Sequence, residues 1–250
     1  MATLTPTGEL VLGGVILFLG GVVQGLSGFG LSLTTVPLMV GFVPPVVLTP
    51  VQVLVSLVNN VAVSYEARHQ IDWRQVWPLV AGGILGIPIG IYLLKSLDAA
   101  WIKAGIGVVV LSIALFMLSG WTPRLPKQLT VMLPTGLLSG ILGGSTSLNG
   151  PPVIIFLASQ RQVKDAFRAS IAAYFVAVNL VGTAMFLASG MLTGRVMLLA
   201  GVWTLFVIAG TITGIRLAKR VNEQLFRRVV LVLLALAGVL LVAANISAMV

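Results

Sequence analysis

The sequence predicts an all-α, polytopic membrane bundle of two inverted five-segment repeats with broken or re-entrant helices. The mean hydropathy of +1.10 and the charged fraction of 8% exclude a soluble globular domain, in which about 25% of residues are charged. Apolar stretches recur from Leu10 to Val250 as continuous runs, which favours helices over the alternating pattern of a membrane barrel. The chain contains no cysteine, so disulfides and thiolate chemistry are excluded.

Two glycine-rich breaks at matching places indicate the repeat. Residues 25–30 read Gly-Leu-Ser-Gly-Phe-Gly, and residues 140–145, which lie 115 positions later, read Gly-Ile-Leu-Gly-Gly-Ser. The same register aligns Pro37 with Pro152. Backbone without helical hydrogen bonds occurs at membrane depth only beside protein or a wet cavity. Paired interruptions in two halves of a membrane protein therefore predict the binding site of a transporter.

Each half contains five apolar segments. They are predicted at 9–26, 31–43, 45–66, 75–95 and 99–119, and at 129–143, 147–159, 166–189, 195–217 and 222–249. The second segment of each half has about 13 residues and reaches about 20 Å, less than the roughly 30 Å hydrocarbon core. The first two segments of each half therefore either cross twice or form a re-entrant pair. The repeats occupy residues 1–120 and 128–250, with 121–127 as a cytoplasmic linker.

The distribution of positive charge predicts the orientation. Ten crossings place 12 cationic residues on one side and 3 on the other, whereas eight crossings divide them 10 to 5. The positive-inside rule favours ten crossings of the cell inner membrane with both termini extracytoplasmic. Five segments per repeat make the two repeats inverted. The net charge of +9 is explained by orientation and contact with the lipid bilayer; nucleic acid is not an expected partner, and self-association into a homo-oligomer stays open.

The two breaks predict a site for a small anionic substrate. Free N–H groups at a helix start form a partial positive end, and glycine allows close backbone approach. The candidate substrate-binding residues are Gly25, Ser27, Gly28, Gly30, Thr34, Gly143, Gly144, Ser145, Asn149, Gly150, Asn59 and Asn179. Asn59 matches Asn179 when the third segments are aligned, and both amides fit either a site or a contact between helices.

Glycine pairs spaced four residues apart have a second use in membrane helices, because they allow close helix packing. Gly86 and Gly90 in the fourth segment match Gly210 and Gly214 in the ninth. We expect these two pairs to pack helices rather than to bind a ligand.

The residues that are absent exclude other classes of protein. All six acidic residues lie at segment ends or in loops, so a proton relay through buried carboxylates is disfavoured. One histidine and no cysteine cannot build a metal cluster, and no phosphate-binding loop for ATP is present. We therefore expect no enzyme, cofactor or metal. An inside-negative potential drives anions outward by about 2.3 kcal/mol per charge and 100 mV, which favours export.

The order and spacing of five motifs resemble the TauE/SafE family of sulfite and organosulfonate exporters. The motifs are residues 25–30 followed by Pro37, residues 68–74, Gly86 with Gly90, residues 140–152, and residues 161–168. The resemblance implies a multi-pass inner-membrane carrier for sulfite, sulfoacetate or related organosulfonates. Residues 34–37 read Thr-Thr-Val-Pro where residues 149–152 read Asn-Gly-Pro-Pro, so an asymmetric site is expected. An anion channel, a carrier of small carboxylates and a non-transporting membrane subunit remain alternatives.

Overall fold

The computed structural model describes residues 6–66, 68–120, 123–160 and 162–217, together with residues 232, 235, 237–239, 241 and 243. Every regular element in these ranges is helical. The α-helices are α1 Pro6–Ser27, α2 Leu31–Met39, α3 Pro45–Glu66, α4 Trp73–Ser96, α5 Ala99–Leu118, α6 Leu129–Thr146, α7 Gly150–Ser159, α8 Lys164–Ala188 and α9 Gly194–Leu217. The all-α prediction is confirmed. The tenth predicted segment, 222–249, lies outside the described residues except for scattered positions, as do Trp121 and Thr122 of the predicted linker.

Among the described helices, six are long and apolar enough to cross a membrane: α1, α4, α5, α6, α8 and α9. Their outer faces are covered with large apolar side chains, and Trp73 and Trp77 stack at the exposed start of α4 with ring centroids 5.5 Å apart. Amphipathic aromatic rings of this kind are typical of the membrane–water interface. The polytopic membrane class predicted from the sequence is confirmed.

The second helix of each half is short and folds back toward the preceding helix. Helix α2 has 9 residues and α7 has 10, so each reaches only about 15 Å, half of the hydrocarbon core. In α2, Thr35 lies against Gly20 and Met39 against Gly13 of α1, which makes α2 antiparallel to α1. In the second half α7 packs on α6. Each short helix is therefore by itself too short to cross the hydrocarbon core.

The helix interruptions lie slightly later than the glycine motifs predict. Residues 25–27 and 140–146 are helical, and the breaks are at residues 28–30 and 147–149. The residue that follows α1 is Gly28, with φ +85°, and the residue that follows α6 is Ser147, with φ +61°. Both residues adopt the left-handed conformation that commonly ends helices. The helix ends and the following helix starts repeat at an offset of 119 residues.

Hydrogen bonds at the two breaks support the offset of 119. The Ser27 hydroxyl donates to the Val23 carbonyl at 2.8 Å and accepts from the Phe29 amide at 3.5 Å. The hydroxyl of Thr146, which is 119 residues later, donates to the carbonyl four residues before it at 2.7 Å and accepts from the amide two residues after it at 3.3 Å. The predicted register of 115 residues is therefore wrong by four residues, about one helical turn. Gly140 and Gly144 are four residues apart, so the glycine pattern by itself fits either register.

Long helices of each half pack against long helices of the other half, and glycines lie at these contacts. Helix α1 packs along α9, α6 packs along α4, and α3 packs against α8. A Cβ added to Gly25 would lie 2.9 Å from Gly214 Cα, and one added to Gly90 would lie 2.8 Å from Gly144 Cα. The expectation that Gly86, Gly90, Gly210 and Gly214 pack helices is confirmed. Both breaks are held by these close contacts between halves.

Candidate functional site

Both helix breaks line one cavity in the described part of the bundle. Its volume is about 30 Å³, within a larger empty space of about 350 Å³ that includes open solvent. The first break and the start of α2 contribute Gly30, Leu31, Ser32 and Leu33, and the second break contributes Leu148, Asn149 and Gly150. Helices α1, α3, α7 and α8 complete it with Gln24, Ser56, Asn60, Ile154, Phe175 and Asn179. A volume of this size holds one or two waters.

Four amide side chains form two hydrogen-bonded pairs in the cavity wall. Gln24 Nε2 donates to Asn60 Oδ1 at 3.1 Å, and Asn149 Nδ2 donates to Asn179 Oδ1 at 2.9 Å. All four residues are buried, with 2–7% of their surface exposed. Buried amides are costly in an apolar interior unless they are bonded, so each pair holds its two helices in a defined position.

One member of each amide pair corresponds under the offset of 119, which relates Asn60 to Asn179, whereas Gln24 falls on Gly143 and Asn149 on Gly30. Asn60 lines the cavity, whereas its neighbour Asn59 is absent from the lining and its buried Nδ2 has no hydrogen-bond partner. The predicted pair Asn59/Asn179 therefore contains one residue of the cavity, and Asn60 takes the place of Asn59. The sequence showed a buried amide here but not which of two consecutive asparagines faces inward.

Three predicted hydroxyl donors point away from the cavity. Ser27 is bonded to Val23 and Phe29 carbonyls, and Ser145 donates to the Ile141 carbonyl at 2.8 Å. The Thr34 hydroxyl is buried with no hydrogen-bond partner, and Thr34 does not line the cavity. The structure places Ser32 there instead, at the second position of α2.

The predicted glycines divide into two groups. Gly30 and Gly150 line the cavity, whereas Gly25 packs on Gly214 of α9. Gly143 and Gly144 line a smaller neighbouring cavity, and Gly144 also packs on α4. The structure thus brings together four of the twelve predicted residues, which are Gly30, Asn149, Gly150 and Asn179.

Gly28 lies at the first break beneath the side chain of Arg168. A Cβ added to Gly28 would lie 2.8 Å from both Cγ and Nε of Arg168. Beside it, the rings of Phe29 and Phe167 meet edge to face with centroids 6.1 Å apart. The first break is therefore fastened to the start of α8 by an aromatic contact and has a cationic side chain above it.

The residues that line the cavity are uncharged, and their polar atoms are amides, hydroxyls and backbone groups. The first N–H groups of α2 have no acceptor within their own helix, and Gly30 caps this helix without a side chain, at φ +103°. Helix α7 offers fewer such groups, because Pro151 and Pro152 lack an N–H. The arrangement presents neutral donors, chiefly from the first break and from the amides of Gln24 and Asn149.

Comparison with known proteins identifies the family. Residues 13–241 match the family described as sulfite exporter TauE/SafE. The chain belongs to the TauE/SafE sulfite exporter family. It is 25% identical over 231 residues to a protein of Cupriavidus necator (strain H16) named probable sulfite/organosulfonate exporter TauE, and the match covers 90% of each chain. No solved structure matches the chain.

Membership of the TauE/SafE family and the apolar helices together make this chain a membrane transporter of anions rather than an enzyme. The family resemblance read from the sequence motifs is confirmed. The match extends across both breaks and both halves, so the cavity between them lies inside the part of the chain that defines the family.

Proposed function

We propose that this TauE/SafE protein exports small sulfur-containing anions, such as sulfite, sulfoacetate or other organosulfonates, through the cavity between its two helix breaks. The observation that carries the proposal is that both breaks, which lie 119 residues apart, line the same polar cavity. The name of the Cupriavidus relative supports the substrate class.

The cavity suits an oxyanion because its donors are neutral and fixed. Backbone N–H groups at the start of α2 and the partial positive end of that helix favour negative charge. The amides of Gln24 and Asn149 supply further donors. Without a buried cation the bound anion keeps a moderate affinity, which permits release on the other side of the membrane.

The volume of the cavity supports a carrier rather than an open pore. About 30 Å³ accommodates one or two waters and is too small for a sulfonate in this conformation. Entry of substrate then requires the breaks to move apart from α3 and α8. A carrier undergoes such a movement in every cycle, whereas a channel stays continuous while it conducts.

We further propose that the two halves, residues 1–120 and 128–250, are inverted repeats, with 121–127 cytoplasmic and both termini extracytoplasmic. The exchange of partners supports this arrangement, since α1 with α9 and α6 with α4 are equivalent pairs. The surplus of positive charge in alternate loops supports the orientation in the inner membrane. A potential of 100 mV, inside negative, then favours outward movement of a monovalent anion by about 2.3 kcal/mol, or about fiftyfold in concentration.

Transport by purified protein in liposomes tests the substrate class. Vesicles loaded with unlabelled sulfite should accumulate labelled sulfite by counterflow, and the rate should saturate with concentration. Sulfoacetate and taurine should compete, whereas acetate should compete weakly. Flux equal to that of protein-free vesicles for every sulfur anion would refute the proposal; better competition by acetate would identify a carboxylate carrier, and single-channel currents would identify a channel.

A further inference from the structure

A second cavity adjoins the first and shares two residues with it. Its volume is about 10 Å³, room for about one water. Its lining is largely apolar and consists of Val53, Ile87, Gly143, Gly144, Asn149, Val178, Asn179, Gly182 and Phe186. Asn149 and Asn179 line both cavities. The hydrogen bond between these two side chains therefore lies in the wall that separates the cavities.

The Asn149–Asn179 pair joins the second break to α8. Asn149 lies in the second break, and its carbonyl accepts a hydrogen bond from the Ser139 hydroxyl. Ser139 in turn accepts from the Tyr174 hydroxyl at 2.7 Å. Asn179 lies on α8, which packs on α3 and α4. The backbone of the break is thus anchored, while the Asn149 side chain depends on a single bond to Asn179 at 2.9 Å.

Close packing explains the glycines at positions 143 and 144 in this wall, but it does not explain Gly182. A Cβ on Gly144 would lie 2.5 Å from the Ile87 carbonyl oxygen, and one on Gly143 would lie 2.9 Å from Asn149 Cβ. A Cβ on Gly182 would meet only Val53 Cγ1, at an ordinary 3.6 Å. Glycine inside a helix costs about 1 kcal/mol relative to alanine. The missing side chain at Gly182 keeps the second cavity open.

We infer that the second cavity continues the substrate path and that the Asn149–Asn179 hydrogen bond is the gate between the two cavities. This inference rests on the proposed transport function. A substrate oxygen in the first cavity replaces Asn179 Oδ1 as the acceptor of the Asn149 amide, so the substrate itself releases the gate. The exchange leaves Asn179 Oδ1 without this donor, and the stronger bond from the Asn149 amide to a charged acceptor offsets that loss. The walls beyond the gate are largely apolar and offer the anion few hydrogen bonds, so this section does not retain the anion but is costly to cross.

Filling the second cavity tests this inference. Gly182→Leu places a side chain in it, and Gly201→Leu is the matched control, because Gly201 is exposed on α9 with no described atom within 4 Å of its Cβ position. Sulfite binding to detergent-solubilised protein and sulfite counterflow in liposomes are measured for both. Gly182→Leu should bind sulfite within about threefold of the parent yet transport it at least about tenfold more slowly, because its side chain occupies the space through which the anion passes; a tenfold slower rate is about 1.4 kcal/mol of activation free energy. Gly201→Leu should match the parent in both.

Modification of a single introduced thiol provides a second measurement, which remains informative if Gly182→Leu does not fold. The chain has no cysteine, so Gly182→Cys and Gly201→Cys each carry a single thiol. A sulfonate-bearing methanethiosulfonate reagent should modify Gly182→Cys and stop transport, and should leave transport by Gly201→Cys unchanged.

The outcomes separate this inference from the proposed function. Parent-like transport by Gly182→Leu, or by fully modified Gly182→Cys, would overturn the path through the second cavity while the function stands. Loss of binding together with transport in Gly182→Leu would also overturn it, because the residue would then shape the first cavity. Absence of sulfite binding and flux in the parent would refute the proposed function, and the inference with it.

Discussion

At the scale of single residues, two consecutive asparagines with different surroundings make a direct test of the cavity. Asn60 accepts from Gln24 at 3.1 Å and donates to the Ser56 carbonyl at 2.8 Å, whereas the buried Nδ2 of Asn59 has no partner. Asn60→Ala should raise the KM for sulfite about tenfold, because the unpaired Gln24 amide costs about 1–3 kcal/mol. Asn59→Ala should leave KM within about twofold, since Asn59 does not line the cavity and its Nδ2 makes no hydrogen bond. Counterflow in liposomes measures both, and equal effects would contradict the assignment of Asn60.

The same scale shows what the sequence could and could not predict about the site. Asn149 and Asn179 were identifiable because polar side chains are rare in apolar segments and usually have a partner or a function. Ser145 and Ser27 were not distinguishable from lining residues, since a serine in a membrane helix either faces a cavity or bonds the carbonyl four residues before it. Both follow the second course here. That choice depends on the direction of each side chain, which the tertiary packing decides.

A hydroxyl and an amide of the second break, Ser145 and Asn149, test this distinction. Ser145→Ala should leave sulfite transport within about twofold of the parent, because the lost bond is local to α6 and worth about 1 kcal/mol. Asn149→Ala should reduce sulfite affinity about tenfold, because it removes a donor from the cavity and leaves Asn179 Oδ1 unpaired. Binding to solubilised protein measures the affinity. A larger loss in Ser145→Ala than in Asn149→Ala would restore Ser145 to the site.

At the scale of helices, the close contact between α1 and α9 depends on glycine. A Cβ on Gly25 would lie 2.4 Å from the Thr211 carbonyl oxygen, so Gly25→Ala must push α9 away. We expect a loss of about 1–3 kcal/mol of stability, as for other overpacked positions, seen as a lower melting temperature in detergent. Gly105→Ala is the control, because Gly105 is exposed on α5 and has no described atom near its Cβ position. An unchanged melting temperature for Gly25→Ala would contradict the packing.

The helical class and the bounds of several long helices were predictable from the sequence, whereas helix ends at the breaks were not. Apolar runs of about 20 residues have one structural outcome in a bilayer, and α4, α8 and α9 lie within two residues of their predicted bounds. The break positions were predicted from glycine content alone. Most of those glycines are helical and pack against another helix, as Gly140 does against Gly83 of α4. At the two breaks, the helix boundaries are marked by residues with positive φ, which are Gly28, Gly30 and Ser147.

At the scale of the whole molecule, the exchange of helices links the two halves into one unit. The first helix of each half packs on the fourth helix of the other, and the third helices pack on each other. Each break is therefore carried by a helix pair drawn from both halves. A movement of α1 with α9 relative to α6 with α4 would separate the breaks while the glycine contacts within each pair stay intact. This division of the bundle agrees with the movement that the small cavity requires.

The direction of transport depends on the orientation of this unit in the membrane. Ser96, the last residue of α4, and Ser119 are both exposed and flank α5, which has 20 residues and spans about 30 Å. In the proposed orientation Ser96 is extracytoplasmic and Ser119 is cytoplasmic. Because the chain has no cysteine, Ser96→Cys and Ser119→Cys each provide one accessible thiol at minimal change in side-chain size.

A membrane-impermeant thiol reagent applied to intact cells should label Ser96→Cys, and should label Ser119→Cys only after the membrane is permeabilised. The positive residues Arg124 and Lys127 follow Ser119, and the positive-inside rule holds them in the cytoplasm. Labelling of Ser119→Cys alone would reverse the orientation, and labelling of both would show that α5 does not cross. With the predicted pattern, the end of α1 that carries the break at residues 28–30, beside Arg168, is the cytoplasmic end of this helix. An exporter would then take up its anion at the side where that guanidinium lies.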